Sequence, residues 1–539
     1  MYTLYSNQKE KAHLRSSLSL FKSSSPVIDQ IIDIIDNSAS CLLEDNYYDK
    51  DFLSCHQYFY SRSNSIIPHR CKRIHFFDKE IPNENLIYNK DFSRYQDNYM
   101  GYTIINPIEN GKIGRTLVRG DSDNHEYYLT CKQKYTSSIA GTEFNINCAP
   151  FIPKDRNVMM CAHAALWMYL RFLHHFYQIG EFLPSEIATN VSSCLGQQEF
   201  PSQGATIGEI AEALKSFGLK VGLISEEKSN LYFKNKEDFI FNAAYPYLEA
   251  GLPVYATARK YFILENKKKH ECVTKKHLEC NPAIPYFQTG HAFLLIGHGK
   301  INRPSKESLQ ATFKSLQESK DQQHHPCVVE YSTFINQLIK HDDKDGMYCP
   351  VSYNIQEPDH KDKNYVLSEI DYMVIAQPEN VSVNSVEALA YAKRVIKDIE
   401  PTITSKIISN KNNDTAYINR ELKRFCSLTQ NEALIIRIIL TSSREYKKHI
   451  NQLRCMTDSL RKYYLSLNMP KFIWVAEISR LQDFFSENVC GEILIDSTKG
   501  RHKNKNLALH VPGILFESDE DISFIKDDTS YPMMIRQSY

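Results

Sequence analysis

The chain has no run of about 18 consecutive apolar residues, so it offers no membrane-spanning helix. The most apolar stretch of its C-terminal half, Ala433 to Leu440, is cut by Arg437. It has no surplus of either charge: 64 Lys and Arg stand against 64 Asp and Glu. Proteins that grip nucleic acid through its phosphates usually carry a basic excess, so neither nucleic acid nor a membrane is expected as a partner. The opening residues, Met1 to Lys9, have no apolar core behind a basic start, so no secretion signal is expected. There is no repeat and no low-complexity block. Cysteines are present, 14 of them, but scattered rather than arranged as a dense framework. Without a secretion signal they read as reduced thiols in a cytoplasmic protein, and one of them can then serve as a nucleophile.

What remains is ample for a folded protein. Hydrophobic residues make up 42% and charged residues 24% of 539 positions, which is room for about two to four domains with real cores. The expected fold class is α+β. Residues 101–119 read as a β-hairpin around Asn110-Gly111, because both turn positions tolerate positive φ. An apolar helix is expected over 158–178 and an amphipathic stretch at Val27 to Ile35. A second helix starts at Thr206, where Thr206 and Glu209 form a capping box, and stops at Gly218. Strands are expected at Lys220 to Ile224, Pro253 to Ala256, His291 to Gly297 and Gln337 to Lys340, with a helix near Phe241 to Leu248 and a charged insertion from Arg259 to Pro285. Residues 301–326 read as an exposed polar excursion and 385–467 as mostly helical, followed by strands at Phe472 to Ala476 and Glu492 to Ile495. Three regions follow: 1–140, 141–380 and 381–539, with the last boundary in the turn-rich Gln377 to Asn380.

Cys161 stands at the start of the expected apolar helix. A thiol there meets the positive end of the helix dipole and the free N–H groups of the first turn, and both favour the reactive thiolate. His291 opens an apolar strand behind Gly290, which holds an imidazole rigidly and leaves space beside it. Asp342 and Asp343 close the next strand, and a carboxylate there fixes the tautomer of an imidazole. Nucleophile, base and orienter then run Cys161, His291 and Asp342 or Asp343, the set required for covalent acyl transfer.

At these residues the chain resembles the papain-like cysteine peptidase superfamily, in particular its bacterial C39-like branch. Three segments carry the resemblance: Asn157 to Trp167 around Cys161, Leu248 to Tyr255, and Gly290 to His298 around His291. It covers roughly residues 150–350. It implies a papain-like core, with a helical side bearing Cys161, an antiparallel-sheet side bearing His291, and a cleft between them that takes a protein or peptide substrate. The implied activity is cysteine-dependent hydrolysis of an amide or isopeptide bond through a Cys161 thioacyl intermediate. No cofactor is implied. The family places a Gln about six residues before its nucleophile as an oxyanion donor; here that position is Asp155, which cannot donate when ionised. The oxyanion hole is then expected to use the Cys161 N–H with Lys154 or Asn157. The departure leaves open a transferase, a deamidase or an inactive homologue, and its non-enzymatic alternative is an interaction or sensor protein that retains the fold.

Other features have plainer readings. His163 is two residues from Cys161 and faces elsewhere on the helix, as a structural or cleft-lining group. His270, Cys272, His277 and Cys280 have spacings compatible with zinc, yet read as a polar loop without metal. Asp343 to Gly346 is only a fragment of a calcium loop. Trp474, Glu477, Asp496 and Thr498 sit on or beside the two C-terminal strands, and their carboxylates read as strand-end charges facing water.

Overall fold

A computed structural model of the protein describes residues 2–22, 25–120, 127–193, 204–225, 236–265, 268–273, 281–283, 286–300, 328–335, 337–352, 370–377, 380–409, 417, 420, 433–453, 456–484, 488–500, 506–511, 514–517, 524–526 and 534–535. It is a mixed α+β protein built on antiparallel sheets. No helix among the described residues is long and apolar enough to cross a membrane.

The chain forms two compact units. The first comprises Met1–Glu226, Gly251–Gly299 and Gln337–Ala376, and the second Glu227–Ala250, Lys300–Asn336 and Gln377–Tyr539. Against the expected division into 1–140, 141–380 and 381–539, the N-terminal region and the Cys161 segment share one unit. Glu227–Ala250 and Lys300–Asn336 leave the middle region for the second.

In the first unit, five strands run as an antiparallel meander in chain order: Tyr2–Tyr5, Ser40–Tyr47, Cys71–Phe77, Tyr99–Ile105 and Ile113–Val118. The last two form the hairpin read from the sequence. Its Gly111 has a φ of +81°, and a Cβ there would meet the Cβ of Asp155 at 2.7 Å. Glycine therefore serves both the turn and the close approach of the loop that precedes Cys161. The Pro26–Asn37 helix buries Val27, Ile31, Ile32 and Ile35 on its apolar face, as the amphipathic pattern requires.

An eight-stranded sheet, antiparallel from Gly346–Ser352 through Ile370–Gln377, carries the rest of this unit. Its central run is Gly346–Ser352, Gln337–Asp342, Tyr286–Gly299, Val254–Glu265, Ile370–Gln377 and Lys220–Ser225. The Cys161–Tyr177 helix packs on the Tyr286–Gly299 strand and has 12 of its 17 residues buried. The Ile207–Ser216 helix has its capping box from Thr206 to Glu209, and Gly218 follows at φ +80°. The expected strand ending at Ala256 instead continues to Glu265 and turns back as Lys268–Val273. Part of the expected charged insertion is therefore a sheet extension.

The second unit is a seven-stranded sheet with helices Lys236–Glu249, Ser385–Ser409, Ser443–Gln452 and Asp458–Ser466. The strand order is Val328–Glu330, Leu434–Ser442, Phe472–Arg480, Gly491–Asp496, Asn506–Val511, Ile514–Glu517 and Phe524–Lys526. The first pair is parallel and the others antiparallel. This corrects two expectations. Where described, residues 385–467 are mostly helical as expected, but Leu434–Ser442 within them is a strand of the sheet. Its β-branched run suits a strand covered on both faces. The carboxylates do not face water: Glu477 is 7% exposed and accepts from Arg437 Nε at 2.7 Å, while Asp496 is 8% exposed and accepts from the N–H and hydroxyl of Thr498.

The 301–326 excursion lies outside the described residues. So do His277 and Cys280, and with them the question of zinc in the 270–280 segment.

Candidate active site

The loop before Cys161 is tied by one carboxylate. Asp155 Oδ1 accepts the backbone N–H groups of Asn157, Val158 and Met159 at 3.0, 2.9 and 2.8 Å, and Oδ2 accepts from the Tyr60 hydroxyl at 3.0 Å. Asp155 is 5% exposed. It is therefore a structural knot that sets the entry to the helix, and not an oxyanion donor. Arg156 takes a φ of +65° inside this turn.

Cys161 is the first residue of its helix and is partly exposed. The His291 imidazole and the backbone N–H of Ala292 are the donors that act on its sulfur. Burial alone would push the thiol up; the hydrogen bond and charge of His291 outweigh it and hold the thiol below its ordinary value. Tyr255, reaching from the central strand, donates to the Ala162 carbonyl at 3.3 Å and fastens the first turn.

His291 is 7% exposed. Its Nε2 lies 2.9 Å from Asp342 Oδ1 and 3.6 Å from Asp343 Oδ1, which leaves Nδ1 for the sulfur. Burial works against the charged ring, but the charge and hydrogen bond of Asp342, the Cys161 contact and Asp343 raise it to about 10. The shifts of Cys161 downward and of His291 upward both favour the thiolate–imidazolium form of the pair.

Both carboxylates are held from the far side by lysines. Residues two apart on a strand share a face, so Lys340 and Asp342 lie together, and Lys340 Nζ contacts Asp342 Oδ2 at 2.7 Å and Asp345 Oδ2 at 2.6 Å. Asp342 Oδ1 also accepts the Lys344 N–H at 2.9 Å across the turn. Burial would raise Asp342, yet His291 and Lys340 keep it well below the ordinary carboxylate value. Asp343 pairs with Lys154, Nζ to Oδ2 at 2.9 Å, and burial leaves its acid the easier of the two to protonate.

These positions account for each residue singled out in the sequence. Cys161, His291, Asp342 and Asp343 come together. Lys154 joins them through Asp343. Asn157 does not: its side-chain amide donates to the Tyr60 hydroxyl at 3.3 Å. His163 is buried, with Nδ1 accepting the Met160 N–H at 3.4 Å, and burial drops it to about 4, so it is a neutral structural group. Sequence reading missed Lys340, whose signal was its position two residues before Asp342 on the same strand face. It also missed Tyr60, for which the sequence carries no signal.

The ligand atoms of His291, Asp342 and Asp343 all lie within 4.8 Å of one another, a spacing compatible with a cation. The protein supplies its own cations there. Lys154 and Lys340 already contact one oxygen of each carboxylate, and the raised imidazole holds a proton where a metal needs a free lone pair.

No protein family, curated protein or solved structure matches this chain.

Proposed function

We propose that the protein is a cysteine-dependent hydrolase of a papain-like kind, acting on an amide or isopeptide bond of a protein or peptide in the cytoplasm. One observation carries this reading: His291, hydrogen-bonded to Asp342 at the end of a strand, acts directly on the Cys161 sulfur at the start of a buried helix. The Cys161 thiolate attacks the scissile carbonyl carbon. The oxyanion so formed meets first-turn N–H groups, which have no intrahelical acceptor. His291 passes its proton to the departing amine, and the thioester forms as the C–N bond breaks. The now neutral imidazole takes a proton from water, whose oxygen attacks the thioester, and Cys161 leaves as thiolate. Asp342 holds the ring in place and stabilises its charged form.

Asp155 at the family's donor position favours a second reading, a non-catalytic interaction protein that keeps the relay without turnover. Alkylation separates relay from inert thiol. With iodoacetamide at pH 7, peptide mapping is expected to show Cys161 modified at least about tenfold faster than the other cysteines, and the preference is lost in His291→Ala. Equal labelling of Cys161 and the buried Cys41 and Cys55 would sink the enzyme reading. An alkylatable Cys161 that forms no thioester with any peptide amide or isopeptide substrate would favour the second.

A further inference from the structure

The first unit contains a cavity of about 650 Å³ away from the thiol. The Cys161 helix reaches it only with Arg171, His174 and His175. At 1.5 Å of rise per residue, Arg171 lies about 15 Å along the helix from Cys161. The rest of the wall comes from the meander sheet, the Gln133–Ile139 strand, and Tyr48, Lys50 and Glu181 beside them.

Five cationic side chains line it, Lys50, Arg73, Arg115, Lys134 and Arg171, against one carboxylate, Glu181. The arginines are 6%, 8% and 5% exposed in that order. They are held by acids that do not line the cavity. Arg73 pairs with Glu44, Arg115 with Asp49 at 2.6 Å and Asp51 at 3.1 Å, and Arg171 with Asp51 at 2.7 Å. This layering fixes the guanidinium groups and leaves cations facing the space. Glu181 is shared between Lys50 and Arg171.

Arg115 Nε, Arg171 Nε and the Tyr135 hydroxyl are buried donors with no hydrogen-bond partner, so this wall carries donors in excess of its own acceptors. Burial first, and then the neighbouring Arg171 and Arg115, hold Lys50 below its ordinary value, and burial, His174 and Arg171 do the same to His175.

The remaining wall is aromatic. Tyr47 and Tyr102 lie under the Arg73 guanidinium at 4.1 and 5.4 Å, and Tyr135 packs edge-on against His175. The volume is in the range that takes a drug-sized organic molecule, several times what a lone oxyanion needs. Planar guanidinium groups match phosphate oxygens, and among the lining tyrosines Tyr47 and Tyr48 keep accessible surface for a flat ring, whereas Tyr102 and Tyr135 are buried. We infer that this cavity binds a phosphate-bearing small molecule of nucleotide size, with its phosphate on the arginine and lysine wall and its flat ring beside Tyr47 and Tyr48.

Calorimetric titration of the full chain with ATP, AMP, adenosine and inorganic phosphate tests this. The expected result is binding of at least one nucleotide at least about tenfold tighter than adenosine and inorganic phosphate, weakening as salt is raised. Arg171→Ala breaks the Asp51 pair and can unfold the protein, so the variant to read is Lys134→Glu, an exposed position on the Gln133–Ile139 strand. It should weaken the nucleotide about tenfold and leave the Cys161 alkylation rate at the wild-type value. Absence of nucleotide binding up to about 1 mM overturns the inference. So does equal affinity for adenosine, which removes the role of charge, equal affinity for inorganic phosphate, which removes the role of the rings, or an unchanged affinity in Lys134→Glu.

Discussion

Asp342 Oδ1 meets His291 Nε2 at 2.9 Å while its other oxygen is held by Lys340 at 2.7 Å, so the carboxylate has one orientation available to it. Asp343 is placed differently. It is 3.6 Å from the same nitrogen and is bound to Lys154. The orienting role therefore belongs to Asp342. Asp342→Asn should slow Cys161 alkylation at pH 7 by about 10²-fold, toward the scale expected when a charged partner of a general base is removed. Asp343→Asn should slow it by less than about tenfold. Equal effects from the two substitutions, measured by mass spectrometry on matched time courses, would remove the distinction.

The pH dependence of stability has a defined sign. His291 binds its proton more tightly when folded, at about 10 against an ordinary 6.5. Its contribution is therefore present in full below pH 6.5 and is lost as pH rises through about 10. Asp342 is held well below 3.8, so its contribution is present above that value and is lost on further acidification. Thermal midpoints should reach a plateau between about pH 4 and 6.5 and fall toward pH 10. In His291→Ala the alkaline decline should shrink. An unchanged alkaline slope in that variant would show that the imidazolium is not the group responsible.

Lys340 and Asp345 make an opposed pair of tests. Lys340→Met removes a buried cation next to Asp342, which raises the thiol and moves the rising limb of the Cys161 alkylation profile to higher pH. Asp345→Asn removes an anion from the same cluster and moves that limb to lower pH. The groups facing this lysine and imidazole are Asp342, Asp343, Asp345, Lys154, Cys349 and Cys161. Shifts of the same sign in both variants would mean that packing, not charge, sets the profile.

The Asp155 knot is a stability element. Asp155→Ala leaves three backbone N–H groups and the Tyr60 hydroxyl without their acceptor, and should cost about 2–4 kcal/mol in denaturant unfolding. Tyr60→Phe removes one donor to Asp155 and the acceptor of the Asn157 amide, and should cost about 0.5–1.5 kcal/mol. A loss below about 0.5 kcal/mol for Asp155→Ala would show that water replaces the carboxylate freely.

The relay was legible in the sequence because its members stand at the ends of elements or of apolar runs. Cys161 begins an apolar helix and Asp342 closes a strand, whereas His291 lies inside the Tyr286–Gly299 strand and not at its start as expected, marked only by the apolar run that follows it. Local periodicity finds such ends. It does not find partners distant in the chain, so the tie from Tyr60 to Asp155 was invisible. Lys340 was within reach, since alternation alone places it beside Asp342. Leu434–Ser442 was misread because a short apolar run has no period that separates a buried strand from a helix. Glu477 was misread because Arg437, which neutralises it, lies on that same misread segment.

The helix that begins with Cys161 buries every residue from Ala162 to Leu173. A segment held in this way by core packing loses its amide protons to solvent only when the whole unit opens, unlike a frayed terminus or a loop. Amide hydrogens along Leu166 to Leu173 should therefore be among the slowest to exchange with deuterium. The thiol sits at the tip of the most slowly opening part of its unit. Its enhanced alkylation should persist through local fluctuations and disappear in one step with cooperative unfolding, which makes Cys161 a chemical reporter of the intact first unit.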